Sequence, residues 1–134
     1  LISSAASRHE LSKAELLLGR TGLYKILPGN ILHNINFIIG HLIGLQSRED
    51  KALATEMIVN ISPHFFRWAI TQIIRWENNA VPDNMIRLHG TADKIIPFPN
   101  DGNIIPVKDG THFMVFNKAG EINSILQTEL VKIP

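Results

Sequence analysis

RLHGTADKIIP occupies residues 87–97, and DGTH follows at residues 109–112. Each stretch lies at or just after a short apolar run typical of a buried strand, and each turns at a glycine. The first turn carries Asp93 and the second carries His112. Loops at the carboxyl ends of neighbouring parallel strands meet at one edge of a sheet, so we expect this carboxylate and this imidazole to lie side by side.

The hydrophobic pattern changes from a helical to a strand period after about residue 80. Residues 85–89 and 104–107 predict two short strands. Pro106 in the second strand cannot donate to a ladder, so that strand is expected at a sheet edge. Residues 114–131 predict a final helix because their apolar side chains have helical spacing. Strands that alternate with helices predict an α/β fold with parallel connections.

Residues 9–79 predict helices instead of strands. Cap and breaker residues predict four helices: one that follows Ser12, one over residues 31–45 after a break at residues 27–30, one from Ser47 to about Val59, and one from Ser62 to about Trp76. Pro63 follows Ser62 at the first helical position, where proline loses no hydrogen bond.

The two loops resemble those of the α/β-hydrolases, in which the acid precedes the histidine along the chain and each follows a strand. Residues 89–97 look like the acid-bearing segment of that family, and residues 109–114 look like its Gly-x-His loop. Residues 1–4 resemble the strand after the nucleophile's helix, and residues 9–79 resemble a helical cap. The resemblance therefore extends over nearly the whole chain.

The resemblance implies the carboxyl-terminal part of an α/β-hydrolase fold, with short parallel strands, flanking helices and a helical cap. The end of a core strand is expected at residues 1–8, the cap or lid at residues 9–80, and the last part of the α/β core at residues 81–134. It also implies a hydrolase in which Asp93 orients His112. In such a site the imidazole passes a proton between the nucleophile and the leaving group.

The nucleophile is the missing member of this catalytic triad. The elbow pattern Gly-x-Ser-x-Gly needs small residues two positions on either side of the serine, because the turn is crowded. Leu1 occupies that position before Ser3, and Ile2 occupies it before Ser4. We therefore expect a serine nucleophile and an oxyanion hole upstream, a chain that is a carboxyl-terminal piece, and no activity in this piece alone.

Three functions are compatible with the two loops that carry Asp93 and His112. The apolar cap favours a hydrolase of small to medium apolar esters or related acyl compounds. An upstream Asp nucleophile would instead give a dehalogenase-like or epoxide-hydrolase-like enzyme, and loss of the nucleophile would leave a non-catalytic binding module. The elbow residue discriminates among the three. Trp68 is the aromatic residue that we expect to line a substrate pocket under the cap, although aromatics at helical spacing more often pack in cores.

The composition excludes several kinds of partner and site. The net charge is +1, with 13 basic and 12 acidic side chains, so no basic footprint for nucleic acid is present. The longest apolar stretch is too short to span a membrane. There is no cysteine, which excludes disulfides and thiolate chemistry and leaves the redox compartment open. The six histidines lack metal-ligand spacing, so no metal or other cofactor is expected.

We therefore expect a small-molecule substrate as the partner, and a cytoplasmic location is favoured. The unpaired inner edge of the first strand would be a template for association. That edge predicts either self-association or pairing with a missing amino-terminal half.

Overall fold

A parallel pair of strands forms the centre of the structure, a computed structural model that describes residues 1–26, 36–99 and 103–132. β1 (Arg87–Gly90) pairs in parallel with β2 (Ile104–Val107). Residues 1–3 add a short parallel stretch beside β1, where Ile2 forms a bridge to Leu88. The amide of Ser3 donates to the Leu88 carbonyl at 3.1 Å. The chain is thus a small α/β structure with short parallel strands.

The parallel pairing agrees with the prediction, and so does the range of β2. Within the described part of the chain β2 pairs with β1 alone, which is the edge position expected for a strand that contains Pro106. β1 begins at Arg87 instead of residue 85. The predicted alternation of strand and helix is not followed here, because residues 91–99 and 103 of the connection between the strands form turns and irregular backbone.

Helices occupy most of the remaining chain. In chain order they are α1 (Lys13–Arg20), α2 (Asn36–Ile43), α3 (Arg48–Val59), α4 (Pro63–Arg75), α5 (Met114–Asn117) and α6 (Ala119–Leu130), with short 3-10 turns at Arg8–Glu10 and Leu23–Lys25. α1, α3 and α4 fall where the sequence predicts helices, and α2 lies within the predicted stretch at residues 31–45. The predicted break at residues 27–30 lies outside the described residues. No helix in the described ranges combines the length and the apolar character that a membrane crossing needs.

The prediction of one helix over residues 114–131 was wrong. The segment forms α5 and α6, which are separated at Lys118. The backbone of Lys118 has φ −118° and ψ 20°, which lies outside the α-helical region. Apolar spacing continues across this residue, so the hydrophobic period alone does not reveal the break.

Serine side chains begin two of the helices. At α3 the hydroxyl of Ser47 accepts the Asp50 amide at 2.9 Å, and the Asp50 carboxylate accepts the Ser47 amide at 3.2 Å. At α4 the hydroxyl of Ser62 accepts the Phe65 amide at 3.1 Å. Each side chain satisfies an amide that the helix itself cannot pair.

The hydrophobic core lies between the strands and the two carboxyl-terminal helices. Leu88, Val107, Met114 and Ile122 form a buried cluster, one each from β1, β2, α5 and α6. All four residues of β1 are buried, as expected for a central strand in a parallel sheet. This core fixes the carboxyl ends of both strands, where the loops that carry Asp93 and His112 begin.

A buried ion pair joins the start of the chain to β1. The Arg87 guanidinium lies 2.5 Å from the Glu10 carboxylate, and both side chains are less than one-tenth exposed. The same carboxylate oxygen accepts the Ala6 amide at 3.0 Å. Arg8 continues the connection, because its guanidinium donates to the Ile74 carbonyl at 3.0 Å in the last turn of α4. Residues 6–10 therefore tie the sheet to the end of the helical region.

Glu10→Ala is expected to destabilise the fold by about 3–5 kcal/mol, because it leaves the buried Arg87 guanidinium without a partner. The measurement is urea denaturation at neutral pH. Glu129→Ala is the control, since it removes the exposed pair with Lys132 and is expected to cost about 0–1 kcal/mol. Equal losses in the two variants would contradict the structural role assigned to Glu10.

Candidate active site

Asp93 and His112 meet as the sequence predicts. The His112 Nδ1 lies 2.9 Å from the Asp93 Oδ2. The Asp93 side chain is fully buried, whereas the His112 side chain is 30% exposed. The carboxylate thus lies beneath the imidazole, and the imidazole retains access to solvent. We call these two residues the Asp–His pair.

Two glycines allow the loops to approach closely. A Cβ atom on Gly90 would lie 2.2 Å from the carbonyl oxygen of Gly110, and a Cβ atom on Gly110 would lie 3.0 Å from the Cα of Gly90. The Ala92 amide donates to the same Gly110 carbonyl at 2.9 Å. Any side chain at position 90 would therefore push the two loops apart and separate the pair that they carry.

Both oxygens of the Asp93 carboxylate have partners. Oδ1 accepts the Ile95 amide at 2.9 Å and the Ile96 amide at 3.0 Å, while Oδ2 faces His112. Burial raises the pKa of Asp93, but the hydrogen bonds from His112 and the Ile96 and Ile95 amides, together with the charge of His112, outweigh it. The net result is a lowered pKa, so Asp93 is ionised at neutral pH.

The geometry determines how the imidazole can act. An ionised carboxylate only accepts hydrogen bonds, so the proton of neutral His112 lies on Nδ1. Its Nε2 is then an unprotonated base on the opposite side of the ring. This is the arrangement in which an imidazole takes a proton from a nucleophile and delivers it to a leaving group.

A segment at the end of α2 contacts the loop that carries His112, residues 108–113, which we call the histidine loop. We call residues 43–50 the docking segment; they run from the last residue of α2 through residues 44–47 into the first turn of α3. The Thr111 hydroxyl donates to the Gly44 carbonyl at 3.2 Å, and the Phe113 amide donates to the Ile43 carbonyl at 3.1 Å. These two contacts flank His112 in the sequence. The docking segment therefore fixes the backbone that carries the imidazole.

Asp50 extends this contact to α5. Its carboxylate accepts the Gln46 amide at 2.9 Å and, more weakly, the Asn117 side-chain amide at 3.4 Å. Burial raises the pKa of Asp50, but hydrogen bonds from the Gln46 and Ser47 backbone and from the Asn117 and Ser47 side chains lower it further than burial raises it. A charged Asp50 thus joins the helical region to the carboxyl-terminal helices.

An open cleft of about 340 Å³ lies between the docking segment and the two loops of the pair. Its lining is formed by His41, Gly44, Leu45, Gln46, Ala92, Lys94, Asp109 and Thr111. The Lys94 ammonium lies 3.3 Å from the His41 Nε2 across it. Residues next to Asp93 and His112 in the sequence line the cleft, but Asp93 and His112 themselves do not.

Trp68 lies on α4 with 57% of its surface exposed, and its ring packs against Phe65 at a centroid distance of 5.6 Å. It does not line the cleft, and among the described residues no hydrogen bond, ion pair or ring contact joins it to the Asp–His pair. A substrate contact at Trp68 stays a prediction.

His89 was not predicted to belong to the site. Its Nε2 lies 3.5 Å from the Asp93 Oδ2, and the residue is 2% exposed. The signal in the sequence is a polar side chain within an otherwise apolar strand that the fold buries completely.

Within the described chain, no group of three or more His, Cys, Asp or Glu side chains is arranged to hold a metal ion. No protein-family model matches the chain, and a search of curated proteins found no significant similarity.

Gly44→Ala is expected to destabilise the protein by about 1–3 kcal/mol more than Gly22→Ala. Both glycines have positive φ, 78° and 71°, so both variants carry the same kind of backbone strain. The room for a side chain differs between the two sites. A Cβ on Gly44 would lie 2.3 Å from the Thr111 Cβ, whereas one on Gly22 would meet only the Lys25 side chain at 4.0 Å. Urea denaturation of the two variants measures the difference. Equal stabilities would mean that the docking segment does not press on the histidine loop.

Stability is expected to fall as the pH drops below about 4, where unfolded aspartates begin to protonate. Asp93 has a lowered pKa in the folded protein, so its contribution is present above the unfolded pKa and is lost as the pH falls through the folded pKa. Asp50 contributes with the same sign. Urea denaturation between pH 7 and pH 3 should show a shallower loss in Asp93→Asn and in Asp50→Asn than in the unmodified protein. An unchanged slope in both variants would contradict this assignment.

Proposed function

We propose that the Asp–His pair is the acid and base of an α/β-hydrolase-type catalytic triad. The protein hydrolyses small to medium apolar esters or related acyl compounds, and the substrate enters between the helical region and the sheet. The observation that carries this proposal is the 2.9 Å contact between His112 Nδ1 and Asp93 Oδ2, made by loops that follow two adjacent parallel strands.

The nucleophile in this proposal is a serine outside these 134 residues. As its hydroxyl oxygen attacks the ester carbonyl, His112 Nε2 takes the hydroxyl proton, and Asp93 stabilises the resulting imidazolium. The imidazolium then gives that proton to the departing alcohol, which leaves an acyl-enzyme. A water molecule attacks the acyl-enzyme by the same proton route, releases the acid and restores the serine.

Three features support the proposal beyond the pair itself. The carboxylate is buried and ionised, so it holds the imidazole in one tautomer. The imidazole is partly exposed, so a substrate and a nucleophile can reach it. The stretch at residues 1–3 is parallel to β1 and adjacent to it, as expected for the strand that follows the nucleophile's helix in the resemblance.

The position of helices α1–α4 in the chain supports the proposal that they form a cap. They lie in the chain between the first parallel stretch and β1, and the docking segment joins them to the histidine loop. Trp68 remains the predicted contact residue of this cap.

His112→Ala, made in the protein that carries the upstream nucleophile, is expected to lower the rate of hydrolysis of a p-nitrophenyl butyrate substrate by about 10³-fold or more. Because the variant also loses a hydrogen bond to the buried Asp93 carboxylate, the rates are compared at a temperature at which circular dichroism shows both proteins to be folded. A rate equal to that of the unmodified protein would remove His112 from the mechanism. If the unmodified protein hydrolyses no ester, haloalkane or epoxide, the binding-module alternative is favoured instead.

His112→Gln distinguishes the two kinds of nucleophile. A serine needs His112 to lose its proton, so this variant should form no covalent intermediate with an ester. An aspartate attacks without losing a proton, so the variant would accumulate an alkyl-enzyme ester from a haloalkane or an epoxide. Mass spectrometry of the intact protein detects the added mass. Accumulation of the alkyl-enzyme would replace the serine mechanism by the Asp-nucleophile alternative.

A further inference from the structure

His89 is a buried polar side chain that contacts the loop carrying Asp93, residues 91–97, which we call the acid loop. It lies in the third position of β1, opposite Pro106 of β2. Its Nε2 lies 2.9 Å from the Ile96 carbonyl oxygen and 3.5 Å from the Asp93 Oδ2. Its ring and that of Phe98 form a T-shaped pair with a centroid distance of 6.0 Å. An apolar residue would fill this place at a lower desolvation cost. The polar ring at this position therefore suggests a role for its hydrogen bond.

The Ile96 carbonyl determines the tautomer of His89. A carbonyl oxygen only accepts hydrogen bonds, so the Nε2 of His89 carries a hydrogen and donates it. That same N–H lies against the Asp93 Oδ2, which is the oxygen that accepts from His112. Among the described residues, the ionisable side chains that contact this carboxylate are His89 and His112.

The acid loop is closed by hydrogen bonds at two points. The Asp93 Oδ1 accepts the amides of Ile95 and Ile96, which fixes the carboxylate to its own loop. His89 then fixes that loop to β1 through the Ile96 carbonyl. The Asp93 amide also donates to the Gly90 carbonyl of β1 at 3.2 Å, so the start of the turn is joined to the sheet without His89. Without the His89 bond, the Ile96 end of the turn would lose its link to β1, and the direction of the carboxylate would be less restrained.

We propose that His89 is a positioning residue: by anchoring the Ile96 carbonyl and lying against the Asp93 Oδ2, it keeps that oxygen aimed at the Nδ1 of His112. Its catalytic consequence rests on the proposed function. The geometric claim does not, because the orientation of His112 can be measured without any substrate.

His89→Gln and His89→Asn form a matched pair of variants. Both place a buried amide in the strand, but the glutamine NH₂ group reaches about as far as the imidazole Nε2, whereas the asparagine NH₂ group is one methylene short. A positioning role therefore predicts that Gln retains the contact with the Ile96 carbonyl and that Asn loses it. A role in filling space alone predicts equal effects.

The first measurement is ¹⁵N NMR of the histidine side chains, with His112 assigned by the loss of its signals in His112→Gln. His112 should be in the Nδ1–H tautomer in the unmodified protein and in His89→Gln. In His89→Asn a mixture of the two tautomers is expected. A single Nδ1–H tautomer in folded His89→Asn would overturn the proposal, as would equal mixtures in the two variants.

The unmodified protein provides a measurement that does not depend on whether the variants fold. The Nε2 of His89 must carry a hydrogen, and a scalar coupling across the hydrogen bond should connect it to the Ile96 carbonyl carbon. An unprotonated Nε2 would overturn the proposal even if His89→Asn failed to fold.

Activity separates this inference from the proposed function. In the protein with its nucleophile, His89→Asn should lower kcat about 10- to 100-fold while KM changes less than about twofold, because a misdirected base affects the transition state more than substrate binding. His89→Gln should recover most of the rate. If the protein has no hydrolase activity, the proposed function fails and the tautomer comparison still decides the role of His89. If it is active and both variants have equal rates, the positioning role alone fails.

Discussion

The hydrogen bond between Asp93 and His112 depends on an approach of two backbones that only glycine permits. Gly90 and Gly110 are so close that a Cβ atom on the first would overlap the carbonyl of the second. The approach brings a buried carboxylate under a partly exposed imidazole. Because parallel strands β1 and β2 deliver both loops to the same edge, the pair follows from the sheet rather than from the sequence distance between its members.

Each buried carboxylate discussed here has at least two partners, and each joins segments that are distant in the sequence. Glu10 accepts from the Ala6 amide and from Arg87, and so connects the start of the chain to β1. Asp50 accepts from two backbone amides and from Asn117. Asp93 accepts from the Ile95 and Ile96 amides and faces His112, and so connects the acid loop to the histidine loop. Buried charge is costly unless it is paired, so these three sites specify which segments meet.

The sequence predicts those features of the fold that local chemistry determines. Serine followed by proline marks α4, and the two glycine turns predict the loops that carry Asp93 and His112. The separation of α5 from α6 was not predicted, because apolar spacing continues through Lys118. Neither were the contacts of the docking segment or of His89, since they depend on side-chain directions across elements, which periodicity does not encode. A polar residue within a buried strand was the available signal for His89.

The backbone contacts of the docking segment relate the helical region to the base. The Thr111 hydroxyl and the Phe113 amide, on either side of His112, both donate to carbonyls at the end of α2. A displacement of that helix end would therefore move the imidazole, whereas the carboxylate would keep its other partners, the Ile95 and Ile96 amides and His89. In the proposed enzyme the distance between acid and base would then depend on how the cap is seated, and a properly seated cap would be a condition for proton transfer.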